Sequence, residues 1–292
     1  MLKGSIVALV TPMMPSGEVD WAALDKLIEW HIESGTDAIV PMGTTGESPT
    51  LDTAEHLAVI KRTIEVVAGR IPVLAGTGSN STAEAIHQTV EAQAAGADAC
   101  LLVTPYYNRP TQEGLFAHYE AIAAATDIPL VLYNVPPRTA TDMSAETVAR
   151  LSVNRKIIGI KEACGDATRV GAIRKLVDDA FIILSGEDAQ TLDMLKLGAI
   201  GTISVTANVT PALMAQFCDA FLQGDVAAAE ALDAKLQPIH DIMFCEPSPT
   251  PVKWALYMMG KIDKGIRLPL LPLTEPHHAE LRARLQAVGA LA

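Results

Sequence analysis

Eight short apolar runs recur along this chain, each followed by an amphipathic stretch, and that alternation narrows the possible folds more than any other feature. The runs are Ser5–Val10, Ala38–Pro41, Pro72–Ala75, Ala99–Val103, Leu130–Tyr133, Ile157–Ile160, Phe181–Leu184 and Ile200–Ser204. Each has strand length, and the residues after it repeat with a helical period. Eight such βα units in series predict an α/β fold, a (β/α)8 TIM barrel, over residues 1–224. A doubly wound open sheet is the structural alternative, ranked lower because no early GxGxxG turn is present. Beyond Gly224 the strand signals stop. Asp225–Phe244, Val252–Met259 and His277–Val288 read as helices, so residues 225–292 are expected to form a C-terminal helical extension, with Glu246–Pro251 as a proline-rich rigid connector.

The helix punctuation is legible too. Asp20 precedes a helix with Leu24, Leu27, Ile28 and Ile32 on one face. Thr53 is expected to open Ala54–Ala68, and Ser81 to open Thr82–Ala95 with Glu84 completing a capping box. Gly35, Gly96 and Gly198 fall where helices should end.

The 292 residues are 49% hydrophobic and 19% charged, enough to bury one large core. Aromatics are only 4%, and the small and branched aliphatics that dominate suit parallel strands covered by helices. A net charge of −12 argues against nucleic acid or an anionic membrane as partner. No run approaches the roughly 20 apolar residues of a membrane span, and Ile6–Val10 is too short for a signal peptide. Cys100, Cys164, Cys218 and Cys245 show no metal spacing and read as reduced thiols of a cytoplasmic protein, with Cys164 a remote candidate for the site's edge. The seven histidines form no metal motif, and the His277-His278 pair reads as solvated.

In barrel enzymes the chemistry gathers at the C-terminal ends of the strands. Here those ends run into Gly43-Thr44-Thr45-Gly46-Glu47, Thr104-Pro105-Tyr106-Tyr107-Asn108, Tyr133 to Arg138, Lys161-Glu162, and Ser185-Gly186-Glu187-Asp188. Lys161 is the sharpest signal, because it follows the apolar run Ile157–Ile160 and is expected to face the barrel interior. A lysine amine kept from water is costly unless paired or functional, and such an amine can attack a ketone to form an imine. A structural Lys161–Glu162 pair is the competing reading, although adjacent strand residues face opposite ways. Tyr133 could move protons or simply pack. Thr44 and Thr45 could hold a carboxylate or simply turn the chain. Arg138 has the fork geometry that suits a carboxylate, or is a solvated surface residue. The loops after strands seven and eight lack a glycine nest, lysine or arginine, which argues against a phosphorylated substrate.

Taken together, Gly43-Thr-Thr-Gly-Glu47, Thr104-Pro-Tyr-Tyr-Asn108, Tyr133-Asn-Val-Pro136, Arg138 and Gly159-Ile-Lys-Glu162 closely resemble the dihydrodipicolinate synthase (4-hydroxy-tetrahydrodipicolinate synthase) family of pyruvate-dependent Schiff-base enzymes. The likeness runs from Gly4 to Pro251-Val-Lys-Trp-Ala255. It implies condensation of pyruvate with L-aspartate 4-semialdehyde on the diaminopimelate route to lysine. Lys161 would form the imine, with no metal or organic cofactor, and Thr44, Tyr133 and Tyr107 would relay protons. Tyr107 would come from a neighbouring subunit of a homotetramer built as a dimer of dimers. Thr45 would bind the pyruvate carboxylate and Arg138 that of the aldehyde, while Gly186 and Ile203 would line the pocket. Ser48, His56, Asn80, Glu84 and Tyr106 match positions that bind L-lysine as a feedback inhibitor, whereas Pro49 and Thr53 depart from the alanine and histidine of some inhibited relatives. The alternative within the wider family is a lyase of N-acetylneuraminate or a 2-keto-3-deoxy sugar acid. Thr44-Thr45, in place of the usual Ser-Thr, and Arg138 argue against it. A catalytically silent binding barrel would need a lost lysine, tyrosine or threonine, and none is lost.

Overall fold

The computed structural model describes residues 2–291. Eight strands form one sheet: β1 (Gly4–Ala8), β2 (Ala38–Val40), β3 (Leu74–Gly76), β4 (Ala99–Val103), β5 (Leu130–Asn134), β6 (Ile157–Glu162), β7 (Ile182–Ser185) and β8 (Gly201–Ser204). All pairings are parallel, in the order β2-β1-β8-β7-β6-β5-β4-β3. The parallel bridge Ile39–Val73 closes β2 onto β3, completing the barrel that the sequence predicts. Isoleucine, valine and leucine dominate the strands because helices cover the outside and side chains fill the inside, so neither strand face meets water.

Strand alternation divides the core in two. Ile6, Ala8, Val40, Leu101, Val131, Tyr133, Leu184 and Ile203 pack inside the barrel. Val7, Leu9, Ile39, Leu102, Leu130, Leu132, Ile160 and Ile183 pack outward against the helices. A one-residue slip in any strand would exchange these sets, so register is strongly specified.

The covering helices start and stop where local chemistry dictates. Asp20, Ser81, Thr111 and Ser144 each accept a backbone N–H from the first turn of the helix that follows. Gly96 ends the helix Thr82–Ala95 at φ 92°, a conformation without steric cost only for glycine. Two expectations change. Asp52 rather than Thr53 caps the helix Thr53–Val67, and with Glu55 it forms a full capping box. Glu84 forms none with Ser81: its carboxylate accepts the Ser79 hydroxyl at 2.7 Å instead.

After the last covering helix, Pro211–Leu222, come Val226–Ile242, Thr250–Met258 and His278–Ala287. His278 is not simply solvated, since it stacks on Trp254 at 4.4 Å between ring centres. Among the described residues, no helix is long and apolar enough to cross a membrane.

Candidate active site

β5 and β6 build the centre of the site. Tyr133 and Lys161 are register partners on these neighbouring strands, and both point into the barrel. Lys161 is only 6% exposed, and its Nζ lies 4.3 Å from the centre of the Tyr133 ring. An aromatic face attracts an ammonium and leaves a neutral amine free to react, which a carboxylate partner would not.

The competing Lys161–Glu162 pair is absent. Glu162 points outward into the helical layer, where it accepts from the Asn134 amide at 3.0 Å. That amide also bonds Asp142, which Arg169 holds in an ion pair. Burial pushes the Glu162 carboxyl up from 4.5 to about 7, against the pull of Arg169 and the hydrogen bonds from Cys164 and Asn134. Cys164 therefore serves this outer cluster and is not part of the pocket lining. Because the folded carboxyl binds its proton more tightly than the unfolded one, this residue's contribution to stability falls as pH rises from about 4.5 through about 7. Glu162→Gln should therefore match the parent in stability near pH 4.5 and exceed it above pH 8 by at most about 3 kcal/mol, read from urea midpoints at both pH values. An equal difference at the two would refute the assignment.

Around Lys161 the mouth narrows to a cavity of about 60 Å³. One water needs roughly 10–15 Å³, so only a handful of heavy atoms fit. Thr44 and Thr45 line it from the 3-10 turn Thr44–Gly46, and Gly186 and Ile203 line it from the ends of β7 and β8. Gly186 lies against the lysine itself: a Cβ there would sit 2.8 Å from Lys161 Cε and 2.7 Å from Ala163 Cβ. Arg138 lies on the one-turn helix Pro136–Thr139 and donates to the Ser248 carbonyl at 3.5 Å.

Among the lining residues that the sequence reading gave no role are Glu187, Phe244 and Ser248. Glu187 follows Gly186 and is pushed upward by burial, with the charges of Lys161 and Arg138 opposing. Its place directly after a strand-end glycine was the available signal. Phe244 and Ser248 arrive from the C-terminal extension and carry no local signature. Tyr107 is not brought in at all. It is 89% exposed and held at φ 74° on the loop after β4.

A second cavity, about 470 Å³, opens beside the first. Ser48, His56, Glu84 and Tyr106 line it, and Thr44, Val135 and Arg138 form a wall common to both. Asn80 is outside that lining and braces it, its side-chain amide donating to the Tyr106 carbonyl at 3.2 Å. Pro49 and Thr53 are also in the wall. His56 Nε2 lies 2.7 Å from the Gly76 carbonyl and so carries the proton there, while burial lowers the ring's affinity for a second. Among the described residues, no group of three or more His, Cys, Asp or Glu side chains could hold a metal ion.

A family model described as the dihydrodipicolinate synthetase family matches residues 1–288. The chain is 56% identical, over the full length of both, to 4-hydroxy-tetrahydrodipicolinate synthase of Pseudomonas savastanoi pv. phaseolicola, and 54% to that of Saccharophagus degradans, again over both full lengths. Among solved structures it is similar to the chloride-inhibited dihydrodipicolinate synthase of Acinetobacter baumannii complexed with pyruvate, at 52% identity and TM-score 0.98 over all of both chains. It is also similar to the lysine-bound enzyme of Cyanidioschyzon merolae, at 37% identity and TM-score 0.96 over 99% of each.

Proposed function

The chain belongs to the dihydrodipicolinate synthetase family, and on that premise we propose that it condenses pyruvate with L-aspartate 4-semialdehyde to give 4-hydroxy-tetrahydrodipicolinate, through an imine on Lys161. The observation that carries this reading is the buried Lys161 amine lying over the Tyr133 ring in a cavity sized for a small acid. The sugar-acid lyase alternative gives way, because the full-length relatives carry the synthase name.

The amine of Lys161 adds to the keto carbon of pyruvate, and loss of water leaves the imine. A methyl proton then departs, its electron pair moves into the imine, and the resulting enamine carbon attacks the aldehyde. The amine of the new adduct closes on the imine carbon and expels the lysine amine, so the nucleophile is regenerated. The imine is the electron sink, and no metal or organic cofactor is needed.

Tyr133 and Thr44 pass protons to and from the carbinolamine. Thr45 holds the pyruvate carboxylate through hydroxyl and backbone donors of the turn. Arg138 holds the carboxylate of the aldehyde in the fork of its guanidinium. Gly186 and Ile203 shape the floor. Tyr107 completes the relay in the pocket of a neighbouring subunit, a role its outward exposure supports. The assembly is a tetramer of two tight dimers, acting in the cytoplasm.

The second cavity receives L-lysine as a feedback inhibitor. Glu84 faces the ammonium, with His56, Ser48, Tyr106 and the bracing Asn80 around it. Pro49 and Thr53 weaken the fit relative to an alanine and a histidine. Millimolar L-lysine should bind in a calorimetric titration and lower the turnover; neither binding nor inhibition at that concentration would remove this assignment. The catalytic reading is tested by borohydride reduction in the presence of pyruvate, followed by a coupled assay with both substrates.

A further inference from the structure

The turn that carries Thr44 and Thr45 is anchored by residues more than two hundred positions later. Glu47 follows that turn in the left-handed conformation, at φ 59°, and is 1% exposed. Its carboxylate forms an ion pair with Lys253 of the helix Thr250–Met258, and the two side chains are 0% and 4% exposed. The other carboxylate oxygen accepts the backbone N–H of Arg267 at 3.1 Å. The Arg267 guanidinium continues the same grip, donating to Glu55 at 2.7 Å twice and to the Thr50 carbonyl at 2.9 Å.

A buried ion pair is a poor way to gain stability, because removing two charges from water offsets most of their attraction. Its value lies in defining one geometry, since only one arrangement satisfies both charges and the backbone donor. Here that geometry belongs to a turn lining the imine pocket. We propose that Glu47, Lys253 and Arg267 form a clamp of positioning residues that hold Thr44 and Thr45 at the working distance from Lys161, a role that rests on the synthase reading above. None of the three is in the lining of the imine pocket, so their effect passes through the turn.

The test uses the full-length protein in two variants. Glu47→Gln keeps the shape but removes the charge and one of the two acceptor oxygens, so it can retain the bond from Lys253 or the bond from the Arg267 N–H but not both. Glu47→Gln with Lys253→Met replaces the pair by neutral groups of similar size. Kinetic constants, melting temperature and borohydride trapping are measured together. The double variant should raise the KM for pyruvate and lower kcat, the two together costing about 10²-fold in kcat/KM, the expected scale for an ångström of misplacement. Trapping should remain on Lys161. The single variant leaves Lys253 buried without its charge partner and should shift both constants in the same direction by at least as large a factor, and whichever variant folds decides the matter should the other not. Unchanged KM and kcat in a variant that traps pyruvate normally would overturn the clamp, whatever happened to its melting temperature. Failure of the parent protein to trap pyruvate would instead count against the catalytic reading itself.

Discussion

Lys161→Ala is expected to give a folded protein that acquires no borohydride-stable mass at residue 161 with pyruvate and turns over at least about 10⁴-fold more slowly. The magnitude follows from the chemistry. Without the amine there is no imine, and without an imine the pyruvate methyl proton is not acidic enough to leave at an enzymatic rate. No other residue in the pocket can substitute, because the remaining lining side chains there are hydroxyls, Arg138, Glu187 and apolar groups. The fold should survive. The amine is a polar group kept from water at 6% exposure, so its deletion relieves a desolvation cost while leaving a small void. Intact-mass and peptide mapping read the first outcome and thermal melting the second. A mass gain that persists in the alanine variant, on any other lysine, would transfer the mechanism away from residue 161.

Gly186→Ala is the second large effect, and it is the smallest possible chemical change. The added carbon would stand 2.8 Å from Lys161 Cε, 2.7 Å from Ala163 Cβ and 3.1 Å from the Glu162 carbonyl. The lysine side chain could swing aside, but the Ala163 side chain and the strand backbone cannot, so β6 and β7 must part even if Lys161 also takes another rotamer. Either response moves the nucleophile. kcat/KM should fall about 10²-fold, with an overpacking loss of about 1–3 kcal/mol in stability. The Gly186 N–H donates to the Glu162 carbonyl at 2.7 Å, so strained β6–β7 contact should also speed amide exchange there. Parent-like kinetics in this variant would mean that the pocket floor yields without cost.

How far the molecule could be read in advance depended on whether the controlling interaction was local. The barrel was legible because each strand announces itself within four to six residues, and closure follows from their count. Lys161 was legible as the charged residue that closes an apolar strand, but not from alternation alone: Ile157 and Ile160 both pack in the outer layer, and a register shift of β6 against β5 past Ile158 is what leaves Lys161 inside. Glu84 was misjudged because a hydroxyl and a backbone N–H competed for one carboxylate: the Ser79 hydroxyl took it, and the Ser81 N–H donates to Ser79 Oγ instead. Phe244 and Ser248 were invisible because their approach to the mouth is set by how the last helices fold back on the barrel. Tyr107 is the limiting case. Its backbone is fixed by this chain, but the loop turns its side chain outward, so within this chain the ring takes no part in the pocket.

The anchoring of Glu47 by Lys253, 206 positions downstream, bears on how the molecule is born. During synthesis the first six strands, including the reactive amine, leave the ribosome well before the helix that fastens the threonine turn. On the proposed clamp, the threonine turn of a nascent chain is expected to stay unfastened until the helix Thr250–Met258 has emerged, so full activity should come only after that helix.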